Sequence, residues 1–223
     1  MIWSMDSPHG APDDEAYNAK TRRLLERVYL GAGDPRGQSG FRGDEARWER
    51  ARRPIVSTID RNGTFLDVGC ANGLLMESLS VWAGEDGYGI EPYGLDLIES
   101  LAVLARHRLR HWEDRIFVGN VMNWRPPFRF DFVRTELEYA PPLHKQEMVE
   151  RVLREYLVPG GRLIVCSYGT SRRAAPKAEP VGEILRDWGY AAVGEAERLD
   201  TNGVVFTRVA WVDAQGSPGQ EAR

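Results

Sequence analysis

The run TFLDVGCANGLL at residues 64–75 places the tightest constraint on how this chain folds. Its first half is short, apolar and partly β-branched, which is typical of a strand buried on both faces of a parallel sheet. Two glycines follow, and a leucine-rich stretch then continues with helical spacing. The run therefore predicts a strand, a glycine turn and a helix whose first N–H groups point at a ligand above the turn.

The small residues of this turn bear on the kind of ligand. Glycine at 69 and 73 permits a tight turn and lets a ligand approach the main chain closely. A dinucleotide-binding turn has the pattern G-x-G-x-x-G, but Ala71 occupies the second glycine position here and Gly73 falls two residues later. The turn is therefore a poor match to a pyrophosphate-binding loop, and an NAD-dependent oxidoreductase is kept only as an alternative.

Length and composition narrow the class of protein. The chain has 223 residues, enough for one α/β domain, and its formal net charge of -4 gives no general attraction to nucleic acid. Cys70 and Cys166 lack C-x-x-C spacing, so neither a disulfide framework nor a metal site is predicted. No apolar run reaches the roughly 18 residues of a membrane span, and no signal-peptide pattern begins the chain. We expect a cytoplasmic protein with no membrane or nucleic-acid partner.

Four segments follow from the pattern along the chain. The pattern predicts a flexible arm at residues 1–13 and two helices at residues 14–62. It predicts the α/β core at residues 63–213 and a flexible tail at residues 214–223. Pro54 is expected to break or kink the second helix. Five glycines between 31 and 43 predict an irregular loop, which is either a lid over a cofactor or a plain connector.

A second strand pattern, IEPYGLD at residues 90–96, ends in an acid just before a helix. A carboxylate there can accept hydrogen bonds from both ribose hydroxyls of a nucleoside, each worth about 1.5–3 kcal/mol. Asp96 directly precedes the helix. Glu91 is nearer to Asp67 in sequence, which is the more usual spacing for a ribose-binding acid. Pro92 follows Glu91, however, and would interrupt a central strand. We favour Asp96 and keep Glu91 as the alternative.

Two later strand patterns also carry polar residues at their ends. RIFVGNV at 115–121 ends with a glycine and an asparagine, and FDFVRTELEYAPP at 130–142 ends with glutamates and a tyrosine. Functional groups collect at the carboxyl ends of strands in an open α/β sheet. A glutamate there could act as a general base, and a tyrosine could orient a nucleophile. An asparagine of an ordinary turn and glutamates of a solvated face remain the alternatives.

Together these motifs resemble the class I S-adenosylmethionine (SAM) methyltransferases over about residues 63–212. The run 64–75 resembles their motif I, apolar-x-D-x-G-x-G-x-G, and FDFV at 130–133 resembles their fourth strand. LVPGGRLIV at 157–165 closely resembles the segment before their fifth strand, and we expect a tight turn at 158–161 there. Their N-methyltransferase signature, an Asn or Asp before two prolines and an aromatic residue, is absent.

The resemblance implies a Rossmann-like α/β fold with a seven-stranded, mostly parallel sheet and helices on both faces. A C-terminal antiparallel hairpin belongs to this fold, and Asn202-Gly203 is a hairpin signal of the kind it needs. The implied activity is methyl transfer from SAM to a small-molecule acceptor. The acceptor, the atom methylated (O, N or C) and a homodimer are left open, and a SAM-binding protein without transferase activity is a further alternative.

The resemblance also assigns roles to residues. The methionine half of SAM would be held by the motif I turn, the ribose by the acid after the second strand, and the adenine by the end of the third strand. The implied cofactor-binding residues are Asp67, Gly69, Cys70, Ala71, Gly73, Asp96, Leu97, Asn120, Val121 and Thr135, with Thr135 and Glu136 flanking the methyl group. The candidate catalytic residues are Glu136, Glu138 and Tyr139.

Overall fold

The computed structural model describes residues 19, 23, 25–169, 177–200 and 202–215. The described part of the first helix is α1, residues 25–30, and it ends at Gly31 as expected. The other helices are α2 Glu45–Arg52, α3 Leu74–Glu85, α4 Glu99–Arg108, α5 Lys145–Arg151 and α6 Val181–Asp187. The predicted arm at 1–13 and nearly all of the tail lie outside the described residues.

Seven strands form one sheet in the order β3-β2-β1-β4-β5-β7-β6. They are β1 Gly63–Val68, β2 Ile90–Asp96, β3 Ile116–Val118, β4 Phe130–Glu136, β5 Leu157–Tyr168, β6 Gly194–Leu199 and β7 Val205–Asp213. β7 runs antiparallel to both β5 and β6, whereas the pairs among β1 to β5 are parallel. The seven-stranded, mostly parallel sheet and the C-terminal hairpin are confirmed.

β1 lies at the centre of the parallel part because it is apolar on both faces. It pairs with β2 on one side and with β4 on the other. Its Leu66 packs in one hydrophobic cluster and its Phe65 in another, and neither side chain is exposed to solvent. A strand covered on both faces needs helices on both sides of the sheet, which fixes the layered α/β arrangement.

The argument that Pro92 would interrupt β2 is wrong. β2 continues through Pro92, which pairs in register with Phe65 of β1. On its other side, β2 pairs with β3 only at residues 94–96, so no ladder hydrogen bond is needed from Pro92 on that side. A proline is tolerated where the strand has only one neighbour.

Two local expectations had opposite outcomes. Pro54 does end regular helix, since α2 stops at Arg52 and a 3-10 segment, Arg53–Thr58, follows. The predicted tight turn at 158–161 is wrong, because β5 runs without interruption from Leu157. The Gly160 amide donates to the Ala214 carbonyl at 3.0 Å, and the Ala214 amide donates to the Gly161 carbonyl at 2.7 Å. The pairing of β4 with β5 shifts register at this part of the strand. The extra residues form an irregularity within the strand.

None of the helices in the described ranges has the length and apolar character needed to cross a membrane. Within those same residues, no group of three or more His, Cys, Asp or Glu side chains is placed to hold a metal ion. Cys70 and Cys166 are both buried and free.

Candidate active site

A cavity of about 710 Å³ opens at the carboxyl edge of the sheet. Its floor is formed by the ends of β1, β2, β4 and β5, and its cover by the loop at residues 31–43 and by α1 and α2. Because parallel strands end at one edge, residues far apart in sequence meet in this cavity. Nearly all the site residues predicted from the sequence line it: Asp67, Gly69, Cys70, Ala71, Asp96, Leu97, Asn120, Val121, Glu136, Glu138 and Tyr139.

The motif I turn between β1 and α3 has left-handed backbone at Gly69, Ala71 and Gly73, with φ of 75°, 47° and 76°. The amides of Gly69 and Cys70 donate to the carbonyl of Leu95 on β2, at 2.7 and 3.2 Å. These bonds clamp the turn to the neighbouring strand. β2 therefore holds in place the turn whose main chain is expected to approach a ligand closely.

The two glycines of the turn have different neighbours. A Cβ at Gly69 would lie 2.5 Å from the ring of Tyr139, so this glycine admits an aromatic side chain of the protein itself. A Cβ at Gly73 would lie 2.5 Å from Cδ1 of Leu109, at the end of α4. Gly73 is absent from the cavity lining, and its place in the turn is explained by the packing of α3 against α4.

Asp67 at the end of β1 forms a buried ion pair with Arg134 of β4. The Arg134 Nη1 donates to Asp67 Oδ1 at 3.2 Å, and the two side chains are only 3% and 1% exposed. Burial raises the pKa of Asp67 to about 6, although the positive charge of Arg134 opposes that rise. The second oxygen of Asp67, Oδ2, is buried without a hydrogen-bond partner among the described residues.

Arg134 also organises the end of β4. Its Nη2 donates to Glu136 and, at 3.3 Å, to the hydroxyl of Tyr168, while its Nη1 lies 3.3 Å from the hydroxyl of Tyr139. The Tyr139 hydroxyl donates to Glu136 Oε1 at 2.9 Å. Burial raises the pKa of Tyr139 well above its ordinary value, so the phenol stays protonated and acts as a donor.

Thr135 lies between Arg134 and Glu136 on β4, and side chains alternate along a strand. Arg134 and Glu136 line the cavity, whereas Thr135 is fully buried and does not. Its hydroxyl lies 3.5 Å from the main-chain oxygen of Glu136. The structure therefore does not bring Thr135 to the place beside the methyl group that the resemblance implies.

Asp96 is the last residue of β2 and is only 6% exposed. Its Oδ2 accepts the amide of Ala71 at 2.7 Å and its Oδ1 accepts the amide of Ile98 at 2.8 Å. Burial raises its pKa to about 6, and these two amides counteract the rise. Glu91, the alternative, is exposed near the start of the same strand and does not line the cavity.

Glu138 lines the cavity in a 3-10 turn, Leu137–Tyr139, that follows β4. The negative charge of Glu136 is the main cause that raises the pKa of Glu138 to about 7, and burial and a hydrogen bond between the two carboxyl groups add to it. A carboxylate with a pKa near neutrality is a suitable proton acceptor at neutral pH. We call Asp67, Asp96, Glu136 and Glu138 the carboxylate cluster.

Part of the glycine-rich loop at 31–43 packs over the motif I turn. The Asn72 side chain donates to the carbonyl of Pro35 at 2.7 Å and is fully buried. Ser39, Gly40, Phe41 and Arg42 line the cavity. The loop therefore forms part of the cavity wall, and its opening and closing stay a prediction.

Three arginines from this loop and from α2 also line the cavity: Arg42, Arg47 and Arg52, which we call the arginine cluster. The Arg52 guanidinium lies 3.4 Å from the centroid of the Tyr168 ring, 5.0 Å from that of Trp48 and 5.4 Å from that of Phe41. These distances are within the range of cation–π contacts. The fold thus places cations as well as carboxylates around one cavity.

Comparison with known proteins gives a consistent result for the fold. No family model matches the chain, and no curated protein matches it in sequence. Among solved structures, the N-methyltransferase NodS from Bradyrhizobium japonicum WM9, in complex with S-adenosyl-L-homocysteine (SAH), is similar with a TM-score of 0.64 and 16% identity, over 87% of this chain and 98% of the other.

A second similar structure is the Burkholderia thailandensis 1,6-didemethyltoxoflavin-N1-methyltransferase, with bound 1,6-didemethyltoxoflavin and SAH. Its TM-score is 0.61 at 19% identity, and the match covers 95% of this chain and 93% of the other. Phosphoethanolamine N-methyltransferase 1 of Haemonchus contortus has a TM-score of 0.60 at 15% identity, over 94% of this chain and 51% of the other. The chain has the class I SAM-dependent methyltransferase fold. In this methyltransferase fold, the cavity lies at the carboxyl edge that the sequence predicted.

Sequence reasoning assigned none of the four arginines of the cavity to the site, and Arg134 and Arg52 show why. Arg134 carries a signal that could have been used, since an arginine inside the strand pattern 130–136 has to be neutralised when the strand is buried. Arg52 carries no such signal, because arginines are common on charged helices such as α2. Its contact with Tyr168 arises only when α2 packs over the end of β5 in the methyltransferase fold.

Proposed function

We propose that the protein is a SAM-dependent methyltransferase that acts on a small-molecule acceptor. The observation that carries this proposal is the carboxylate cluster at the ends of β1, β2 and β4 of a methyltransferase fold. SAM bears an ammonium and a sulfonium, and buried carboxylates are the groups that bind such cations. A pyrophosphate would meet the same carboxylates with unfavourable electrostatics, which argues against NAD.

The residues present fit SAM at the methionine half. Asp67 Oδ2 is a buried acceptor that no described residue satisfies, and Asp67 lines the cavity. A buried carboxylate oxygen without a partner is costly, so an ammonium donor at this position would be stabilising. We assign Asp67, with the main chain of Gly69, Cys70 and Ala71, to the amino acid part of the cofactor.

The nucleoside half fits the ends of β2 and β3. Each oxygen of Asp96 accepts one main-chain amide and keeps a further lone pair, so Asp96 can still accept ribose hydroxyls. Asn120 Oδ1 accepts the amide of Met122 at 2.9 Å, which fixes the Asn120 side chain beside the cavity. We assign Asp96 and Leu97 to the ribose, and Asn120 and Val121 to the adenine.

Bound SAM would supply an electrophilic methyl group on a positively charged sulfur. The chain's own contribution is then alignment, which can lower a barrier by about 7–11 kcal/mol, and proton transfer from the nucleophile. Arg134 holds Glu136 and Tyr139 in fixed positions. The O–H of Tyr139 is donated to Glu136, so Tyr139 can orient the nucleophile by accepting a hydrogen bond from it, and Glu138 can take the proton of the nucleophile.

The acceptor class rests on the size and enclosure of the site. A cavity of about 710 Å³ beneath the loop at 31–43 is in the range that holds small molecules. The net charge of -4 disfavours a nucleic-acid acceptor. The similar Burkholderia enzyme was crystallised with bound 1,6-didemethyltoxoflavin, which supports a small-molecule acceptor.

Two measurements test the proposal. We expect purified protein to show a thermal shift and calorimetric binding with SAM and with SAH, and none with NADH. We also expect label from methyl-labelled SAM to appear in a compound of a cell metabolite extract. Binding of NADH without SAM would refute the methyltransferase assignment. SAM binding without any label transfer would favour a SAM-binding protein that lacks transferase activity.

A further inference from the structure

Arg52 is held by aromatic rings rather than by an acid. It lies at the end of α2, and its guanidinium is stacked over Tyr168 at 3.4 Å from the ring centroid. Within the described ranges, the Arg52 side chain makes no ion pair or hydrogen bond, although it lines the cavity. The aromatic contacts fix the orientation of the guanidinium but leave its charge without a counter-ion there.

The position of Arg52 separates it from the proposed cofactor residues. Tyr168 is the last residue of β5, which lies beside β4 on the side away from β1 and β2. The groups assigned to SAM lie at the ends of β1, β2 and β3. The guanidinium of Arg52 therefore lies over a different strand end from the residues assigned to SAM, although Arg134 contacts both Tyr168 and Asp67.

The surroundings of Arg52 indicate the chemistry of a ligand there. Arg42 and Arg47 line the same cavity, so three guanidinium groups come from its cover, whereas the carboxylate cluster lies at the strand ends that form its floor. Phe41, Trp48 and Tyr168 supply aromatic surface. A guanidinium presents a planar fork of N–H donors that matches the two oxygens of a carboxylate or phosphate.

We propose that Arg52 binds an oxyanion, a carboxylate or a phosphate, carried by the methyl acceptor on an aromatic or other planar framework. This inference rests on the proposed function and names the substrate class of the same site. The acceptor's anionic end lies on Arg52, and its nucleophile faces Glu138 and Tyr139. Arg52 thereby selects acids over their neutral analogues.

Binding to SAH-saturated protein tests the proposal with four probes: benzoate, its neutral analogue benzamide, phenyl phosphate and phenol. We expect calorimetry to show the wild-type protein binding benzoate or phenyl phosphate at least about tenfold more tightly than the neutral analogue. Which of the two anions binds identifies the oxyanion. Absence of a preference for either anion in the wild type overturns the proposal.

Arg52→Gln and Arg50→Gln form a matched pair, because Arg50 lies on the same helix, is exposed and does not line the cavity. We expect Arg52→Gln to abolish the preference for the anion, Arg52→Lys to retain part of it, and Arg50→Gln to leave it unchanged. An equal preference in Arg52→Gln and the wild type overturns the proposal.

SAH affinity distinguishes this inference from the proposed function. We expect SAH to bind Arg52→Gln as tightly as it binds the wild type, which also shows that the variant is folded. A loss of SAH affinity in Arg52→Gln, with native circular dichroism, would assign Arg52 to the cofactor and overturn the inference. Failure of the wild-type protein to bind SAH would instead refute the proposed function.

Discussion

The carboxylate cluster and the arginine cluster share one cavity but are held in different ways. Asp67 and Asp96 are almost fully buried, and each is bound by a side chain or by amides of the neighbouring strand and turn. Arg52 comes from a short helix outside the sheet and rests on aromatic rings. Asp67 and Asp96 are part of the frame of the fold, whereas the arginine cluster projects from the loop at 31–43 and from α2, which cover the sheet. This difference agrees with the proposal that Asp67 and Asp96 bind the cofactor and that Arg52 binds the acceptor.

The largest expected effect is a difference in the free energy of unfolding between variants of two arginines of the cavity. Arg134→Met leaves Asp67 and Glu136 buried without their cation, and breaking such a pair costs about 3–5 kcal/mol of the free energy of unfolding. Arg52→Met removes only cation–π contacts and should cost about 1–2 kcal/mol. Urea denaturation of both variants measures the difference. Equal losses would contradict the view that only Arg134 belongs to the frame.

The next effect concerns Asp96, the carboxylate that we propose binds the ribose. We expect Asp96→Asn to weaken SAH binding by about tenfold to a hundredfold, because a charge-assisted hydrogen bond is worth about 1.5–3 kcal/mol. Glu91→Gln is the control, since Glu91 is exposed on the same strand and away from the cavity. Isothermal calorimetry gives both affinities. Unchanged affinity in Asp96→Asn would remove this residue from the proposed cofactor site.

A smaller effect follows from the pKa of Glu138, which is raised to about 7. Below that pKa the carboxyl is protonated and cannot accept a proton, so turnover should fall as the pH falls through about 7. We expect Glu138→Gln to lower turnover about tenfold and to remove this limb of the profile. Rates of methyl transfer between pH 5.5 and 8.5 test this once an acceptor is identified. A limb that persists in Glu138→Gln would assign it to another group.

The smallest effect tests whether Gly73 serves packing rather than ligand binding. Both Gly73 and Gly87 have left-handed φ, so alanine costs about 1–2 kcal/mol at each, but only a Cβ at Gly73 meets another side chain, Leu109. We expect Gly73→Ala to destabilise the protein more than Gly87→Ala in urea denaturation. SAH affinity should stay within about twofold of the wild type in both variants. Equal stabilities, or a selective loss of SAH affinity in Gly73→Ala, would return Gly73 to the ligand site.

Much of the carboxylate cluster could be placed from the sequence because its signals are local. Asp67 ends an apolar strand pattern before a glycine turn, and Asp96 directly precedes a helix. Strand ends in a parallel sheet share one edge, so the sequence alone predicts that these two residues lie close together. Pro92 was misjudged because the pattern does not show that β3 is too short to pair beside it.

The arginine cluster and the ion pair of Arg134 could not be predicted in the same way. Arg134 and Asp67 are 67 positions apart, and their contact depends on the parallel register of β1 and β4. Gly69 was expected to admit a ligand, yet the ring of Tyr139 is what lies against it. Arg52 meets Tyr168 only through the packing of α2 over the sheet.

The amino-acid sequence by itself determined the order of strands and helices, the glycine turn and the edge of the sheet where polar groups collect. These follow from periodicity and turn chemistry, which act over a few residues. Only the tertiary structure decided that Arg134 pairs with Asp67 and Glu136 and that Arg52 stacks on aromatic rings in the cavity. Electrostatic pairing depends on distance in space, and the packing of the layers sets that distance.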